Sequence, residues 1–242
     1  MQRFLSFTQD MRGALLMALF GTYFGSLWVA ALNFPHAYDW RRNAISNLLS
    51  PRDNPGWHWL PSAGLVMAAL FMLWLAIWIE SELHDGDSRL ARRVRRPAFL
   101  VGIVCLILAA IVAPQHAQTL AGMRHVHEML ARTSAVGLGV AMLCACRGTG
   151  LAKMEVGQEV RLRVLRGMWR AITLPPIAGA ATSGLVVGLA RLHGLAAGPA
   201  AFFRGTMFWH LAFWEWTGSV TMFLFFASAV RTLNDKHEAQ RL

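Results

Sequence analysis

The sequence predicts an all-α fold: a polytopic transmembrane bundle of six helices with both termini cytoplasmic. Three observations predict it. The 242-residue chain is 55% hydrophobic and only 15% charged, against about 25% charged in an ordinary soluble domain. Its apolar residues gather in long runs. Its Lys and Arg gather in the connections between alternate runs. Soluble globular, disordered and collagen-like classes are excluded.

A helix needs about 20 residues to cross the hydrocarbon core of a bilayer. Six segments meet that length: 13–34, 59–80, 98–115, 128–146, 171–191 and 207–230. The first is too long for the apolar region of a signal peptide and stays a span. The second and sixth meet the length directly. The third and fourth are the shortest and are bounded by polar residues. The fifth carries Leu174-Pro175-Pro176 near its start, which a membrane helix absorbs as a kink or a late start. No connection is long enough for a second domain, so residues 1–242 read as one transmembrane domain.

Orientation follows from the cations. A cytoplasmic N-terminus places on that side Arg3 and Arg12, five arginines from Arg89 to Arg96, six arginines and lysines from Arg147 to Arg170, and Arg231, Lys236 and Arg241. That is sixteen of the 23 Lys and Arg, the bias of the positive-inside rule. The placement is that of an integral plasma (inner) membrane protein. The net charge of +10 is then accounted for by topology and attraction to anionic headgroups. Membrane lipids, and a partner membrane protein, are the expected partners; nucleic acid is not. Segment 155–170 is basic with apolar residues interleaved and reads as an amphipathic helix on the inner interface. Cys105, Cys144 and Cys146 lie in or at the end of apolar runs and read as packing residues rather than a disulfide framework.

The same topology sorts the histidines. His36, His58, His116, His125, His127, His193 and His210 fall on the extracytoplasmic side, and only His84 and His237 on the other. Polar residues gather with them in three places. The connection after span one carries His36, Asp39, Arg41, Arg42, Ser46, Asn47, Asp53, Asn54 and His58. The connection into span four carries His116, Arg124, His125, His127, Glu128 and Arg132, and the start of span six carries His210 and Glu215. Arg132 and Glu215 fall within the expected depth of the hydrocarbon, where each costs about 2.5–3.5 kcal/mol unless paired or facing a wet cavity. Pairing with each other across spans four and six would neutralise both. The Trp residues around these clusters read as an aromatic belt.

Two cofactors fit such a cluster. Three imidazoles, or two and a carboxylate, with an open position make a catalytic zinc site; His127 and His210 with His116 or Asp39 is the combination to test. His125 and His127 are two apart, so on a helix they cannot share one metal, and the His-Glu-x-x-His signature is absent. A single haem between His127 and His210 is the other combination. Interfacial or hydrogen-bonding roles for each histidine stand beside both.

The chain also carries Ala44-Ile45-Ser46-Asn47, then Ser50-Pro51 to Asn54-Pro55 before span two, His127-Glu128 opening span four, and Trp214-Glu215-Trp216 opening span six. In these motifs and their order it resembles the FRAG/DRAM-type family of six-span membrane proteins and the related bacterial membrane families of undefined function. The resemblance implies a six-helix bundle with both ends cytoplasmic. Eukaryotic members act in GPI-anchor remodelling, in autophagy and in phosphoinositide or lipid-asymmetry control at the plasma membrane, and no single chemistry transfers from them. It marks Ser46, His127 and Glu215 as important positions. Asn47 stands where the family often has Asp, so a role needing a carboxylate there falls to Asp39 or Asp53.

The functional expectation is an outward-opening polar pocket that binds or modifies a lipid or another amphipathic ligand. Arg41, Arg42, Arg132 and Glu215 would bind it, with the arginines on a phosphate or carboxylate headgroup. In a zinc-dependent hydrolase or acyltransferase, Asp39, Ser46 and Glu128 would be catalytic and His116, His127 and His210 the metal ligands. An accessory subunit docking a partner is the third reading.

Overall fold

The computed structural model describes residues 2–83, 89–112, 126–147 and 211–239, with the isolated positions 178, 179, 181, 182, 184, 185 and 188. Among the described residues the chain is all-helical. Five long helices, α1 (Gln2–Leu32), α3 (Trp59–Glu82), α4 (Arg89–Ile111), α5 (Val126–Arg147) and α6 (Leu211–Ala239), are joined by a short α2 (Ile45–Leu49) in the connection after α1. The segments Met11–Leu32, Trp59–Glu82, Arg89–Ile111 and Val126–Ala145 are long and apolar enough to cross a membrane.

The ends of these helices follow hydrogen bonding rather than apolarity. Helix α1 stops where the Asn33 side chain and backbone N–H both return to the Val29 carbonyl and Pro35 follows. Helix α3 carries Pro61 in its first turn, where the missing N–H has no intrahelical partner to lose. Helix α4 begins nine residues before the expected position 98 and runs through Pro97. A charged turn satisfies its own backbone as well as an apolar one does, so the helix continues where hydropathy ends. The first turns of α6 include Trp214, Glu215, Trp216, Thr217, Gly218 and Ser219, which dilutes the helix's apolarity at that end. Most of the expected span 171–191, residues 207–210 of the sixth, and segment 155–170 lie outside the described residues.

Helix α1 packs along α3, α3 along α4, and α4 along α5. Small residues let the backbones approach. A methyl group at Gly64 would strike the Ser26 hydroxyl of α1, and a Cβ at Gly137 would lie 2.9 Å from both the Ala98 carbonyl and the Gly102 nitrogen of α4. Helix α6 lies on this frame through aromatic contacts: Phe223 meets Phe20, Tyr23 and Phe24, while Phe225 and Phe226 meet Phe99. Large apolar side chains such as Met17, Trp28, Ile77 and Val136 stand exposed on the outside, the surface of helices solvated by hydrocarbon.

The end of the bundle away from α2 is held by polar contacts. Arg95, which the sequence places among connecting-segment cations, is fully buried in α4. Its Nη2 donates to Glu80 Oε2 of α3 at 3.2 Å and its Nε to Glu80 Oε1. The Arg12 guanidinium lies 4.4 Å from the Trp78 ring centre, and its Nη1 donates to Asn234 Oδ1 of α6 at 3.0 Å. Trp78 Nε1 donates to Glu82 Oε1 at 3.2 Å. Four helices meet in this cluster.

Candidate functional site

Residues 33–58 fold over the other end of the bundle. The segment first turns at Asp39, whose carbonyl accepts the Arg42 and Asn43 N–H groups and whose Oδ1 accepts the Arg41 N–H at 3.0 Å. Its Oδ2 faces Arg42 Nε at 3.7 Å. This is an Asx turn, and Asp39, Arg41 and Arg42 are all exposed on it. Tyr38 anchors the turn from beneath, donating its hydroxyl to the Asn43 and Ala44 carbonyls at 2.9 and 3.0 Å. Burial pushes the Tyr38 hydroxyl well above its ordinary pKa, which keeps it a donor.

Helix α2 follows, inserting Ile45, Leu48 and Leu49 into the core. The Asn47 side chain organises both flanks. Its Oδ1 accepts the Ala44 N–H at 2.9 Å and its Nδ2 donates to Asp53 Oδ2 at 3.2 Å. Asn54 is fully buried, donates Nδ2 to the Leu48 carbonyl at 3.2 Å, and has no partner for Oδ1 among the described residues.

Glu215 is where this connection meets α6. Its Oε2 accepts the Ser46 N–H at 3.3 Å, and the Ile45 N–H also points to the carboxylate. These are first-turn N–H groups of α2, which have no partner within their own helix. The Ser219 hydroxyl donates to the Glu215 carbonyl at 2.8 Å. With that hydrogen committed, the 2.6 Å contact between Tyr23 and Ser219 has the tyrosine as donor. The chain contains only two tyrosines, and both lie within electrostatic reach of Glu215. So does Glu128. Fourteen phenylalanines against two tyrosines was the sequence signal for Tyr23 and Tyr38.

Arg132 departs from the expected pairing. Its Nη2 donates to Glu128 Oε2 at 3.0 Å, one turn away on α5, with 70% of its side chain exposed. An i,i+4 pair on one helix forms without any tertiary fit, while Glu215 is taken by the α2 backbone.

His127 faces the C-terminal end of α4. Its Nδ1 lies 2.9 Å from both the Ala109 and the Val112 carbonyl oxygens. Facing only acceptors, Nδ1 carries the hydrogen and shares it between carbonyls that the end of a helix leaves unpaired. Nε2 is the ring atom left over. His116 and His210, the other two expected metal ligands, lie outside the described residues. Among the described residues no three His, Cys, Asp or Glu gather as a metal set.

An open groove of about 530 Å³ runs between turn 51–58, the first turns of α3 and the end of α4. Its lining is mostly apolar, with Trp59, Ala63, Val66 and Met67 on one wall and Ala110 and Ile111 on the other. His58 and Ser62 supply its polar atoms. The Ser62 hydroxyl donates to the His58 carbonyl at 3.1 Å, and His58 Nδ1 lies 3.2 Å from the Pro55 carbonyl. Ser46 with Glu215, and Glu128 with Arg132, are thus brought together; Asp39, Arg41 and Arg42 form a separate exposed turn. No family model, no curated protein and no solved structure matches the chain.

Proposed function

We propose that the chain is a six-span membrane protein, both termini cytoplasmic, that holds a lipid at its outward end. One acyl chain lies in the groove between α3 and α4, and the polar connection 33–58 lies at the headgroup. The groove carries this reading. It is apolar along most of its length, opens sideways among lipid-facing residues such as Met67 and Ile111, and becomes polar only at His58 and Ser62. A groove open to the bilayer on one side fits a chain already dissolved there, which loses little by entering it. The arginine bias supports the orientation, and the resemblance to the FRAG/DRAM-type family agrees with a lipid-linked role.

The test is native mass spectrometry of the full chain released from mild detergent, with extracted lipid quantified. Ala63 is exposed and lines the groove, so Ala63→Trp fills it without entering the core. The wild type is expected to carry about one lipid per chain and the variant to lose most of it. Equal lipid on both proteins would overturn the reading.

A further inference from the structure

We infer that the groove selects a phospholipid with a net negative, hydroxyl-bearing headgroup, Arg52 holding the phosphodiester and His58 accepting from the headgroup hydroxyl; this rests on the lipid reading above. Arg52 follows Pro51, a residue of the groove lining, and is exposed. Among the described residues no carboxylate pairs with it, and the adjacent Asp53 is engaged by the Asn47 amide. A cation on the side of the membrane that topology leaves poor in cations calls for an anion.

The depth fits a headgroup. Trp57 and Trp59 stack with ring centres 6.5 Å apart and planes 18° apart, and both are exposed. Such rings settle at the interface, which sets His58 at headgroup level. Met67 lies eight residues beyond Trp59, about 12 Å deeper along the helix. The polar atoms at the shallow end are acceptors. In a neutral imidazole whose Nδ1 hydrogen goes to Pro55, Nε2 accepts, and the Ser62 oxygen retains lone pairs after donating to His58. Two acceptors in the groove, with an exposed arginine next in the chain to its lining residue Pro51, match a headgroup that joins a phosphodiester to hydroxyl groups. A choline headgroup has no donor to give them, and an ethanolamine headgroup brings its ammonium towards Arg52.

The experiment presents the full chain in detergent with equal amounts of phosphatidylglycerol, phosphatidylethanolamine and phosphatidylcholine of identical acyl chains, and reads bound species by native mass spectrometry. Phosphatidylglycerol is expected to exceed phosphatidylcholine about tenfold, because its hydroxyls donate to His58 and Ser62 and it carries no cation for Arg52 to repel. Arg52→Gln should weaken all three lipids, which share the phosphodiester, and should lower the phosphatidylglycerol-to-phosphatidylcholine ratio because choline is no longer repelled, whereas Ala63→Trp should lower all three lipids with the ratio unchanged. A wild-type ratio near one, or a ratio unmoved by Arg52→Gln, sinks the selection while leaving the groove. Binding unaffected by Ala63→Trp sinks the lipid reading itself. Should Ala63→Trp fail to fold, Val66→Phe fills the same groove and serves in its place.

Discussion

Glu215, in the first turns of α6, accepts the backbone N–H of Ser46 from a helix 169 positions away in sequence. Ser46 and Glu215, two of the three positions singled out by the resemblance, are therefore partners, through the main chain of one and the side chain of the other. The carboxylate satisfies the open end of α2 and fixes the connection over the bundle.

Replacing Glu215 tests that relationship. Glu215→Ala leaves the first N–H groups of α2 without their acceptor and should cost about 1–3 kcal/mol. Glu215→Gln keeps an acceptor oxygen and should cost less. Thermal unfolding in detergent gives the magnitude, and hydrogen exchange at residues 44–49 gives the place. Unchanged exchange in Glu215→Ala would mean that the contact does not hold α2.

His127 separates a structural role from a metal-binding one. As the donor to the Ala109 and Val112 carbonyls it should contribute about 1–3 kcal/mol, so His127→Ala should melt lower than wild type. Wild type should melt at the same temperature with and without EDTA. A fall on chelation that His127→Ala does not show would move the ring to a metal.

Arg95, fully buried, pairs with the half-buried Glu80, so removing the arginine takes the carboxylate's cation away inside the bundle. Arg95→Leu or Glu80→Leu alone should destabilise by about 3–5 kcal/mol, and the two combined should recover much of that. A double variant as unstable as the two losses added together would show that the residues act independently.

Five of the six expected spans overlap described helices, four of them long and apolar enough to cross a membrane, because a long apolar run admits one satisfied backbone conformation in hydrocarbon. Their ends were less legible, as at Arg89–Ile111, since charge does not stop a helix. The Arg95–Glu80 pair was hidden for a different reason. It depends on the register between α3 and α4, and neither residue differs locally from an ordinary interfacial charge. Asn47 is the most instructive position. Read as a missing carboxylate, it instead accepts from Ala44 and donates to Asp53, and an ionised Asp could make only the first of these bonds. The groove escaped notice because its walls are apolar residues from three separate segments, which composition cannot distinguish from any lipid-facing surface.

The bonds that join α1 to α6 have a consequence for biosynthesis. Tyr23 waits for Ser219 across 196 positions, and Arg12 for Asn234 across 222. At about 5–20 residues per second, the first helix stays in the bilayer for about 10–40 s before its partner leaves the ribosome. Throughout that interval a guanidinium and a phenol are without their final acceptors, and α2 lacks the carboxylate that completes it. The nascent chain is thus most exposed to misassembly and quality control just before its C-terminal helix arrives, and truncation before Leu211 would freeze it in that state.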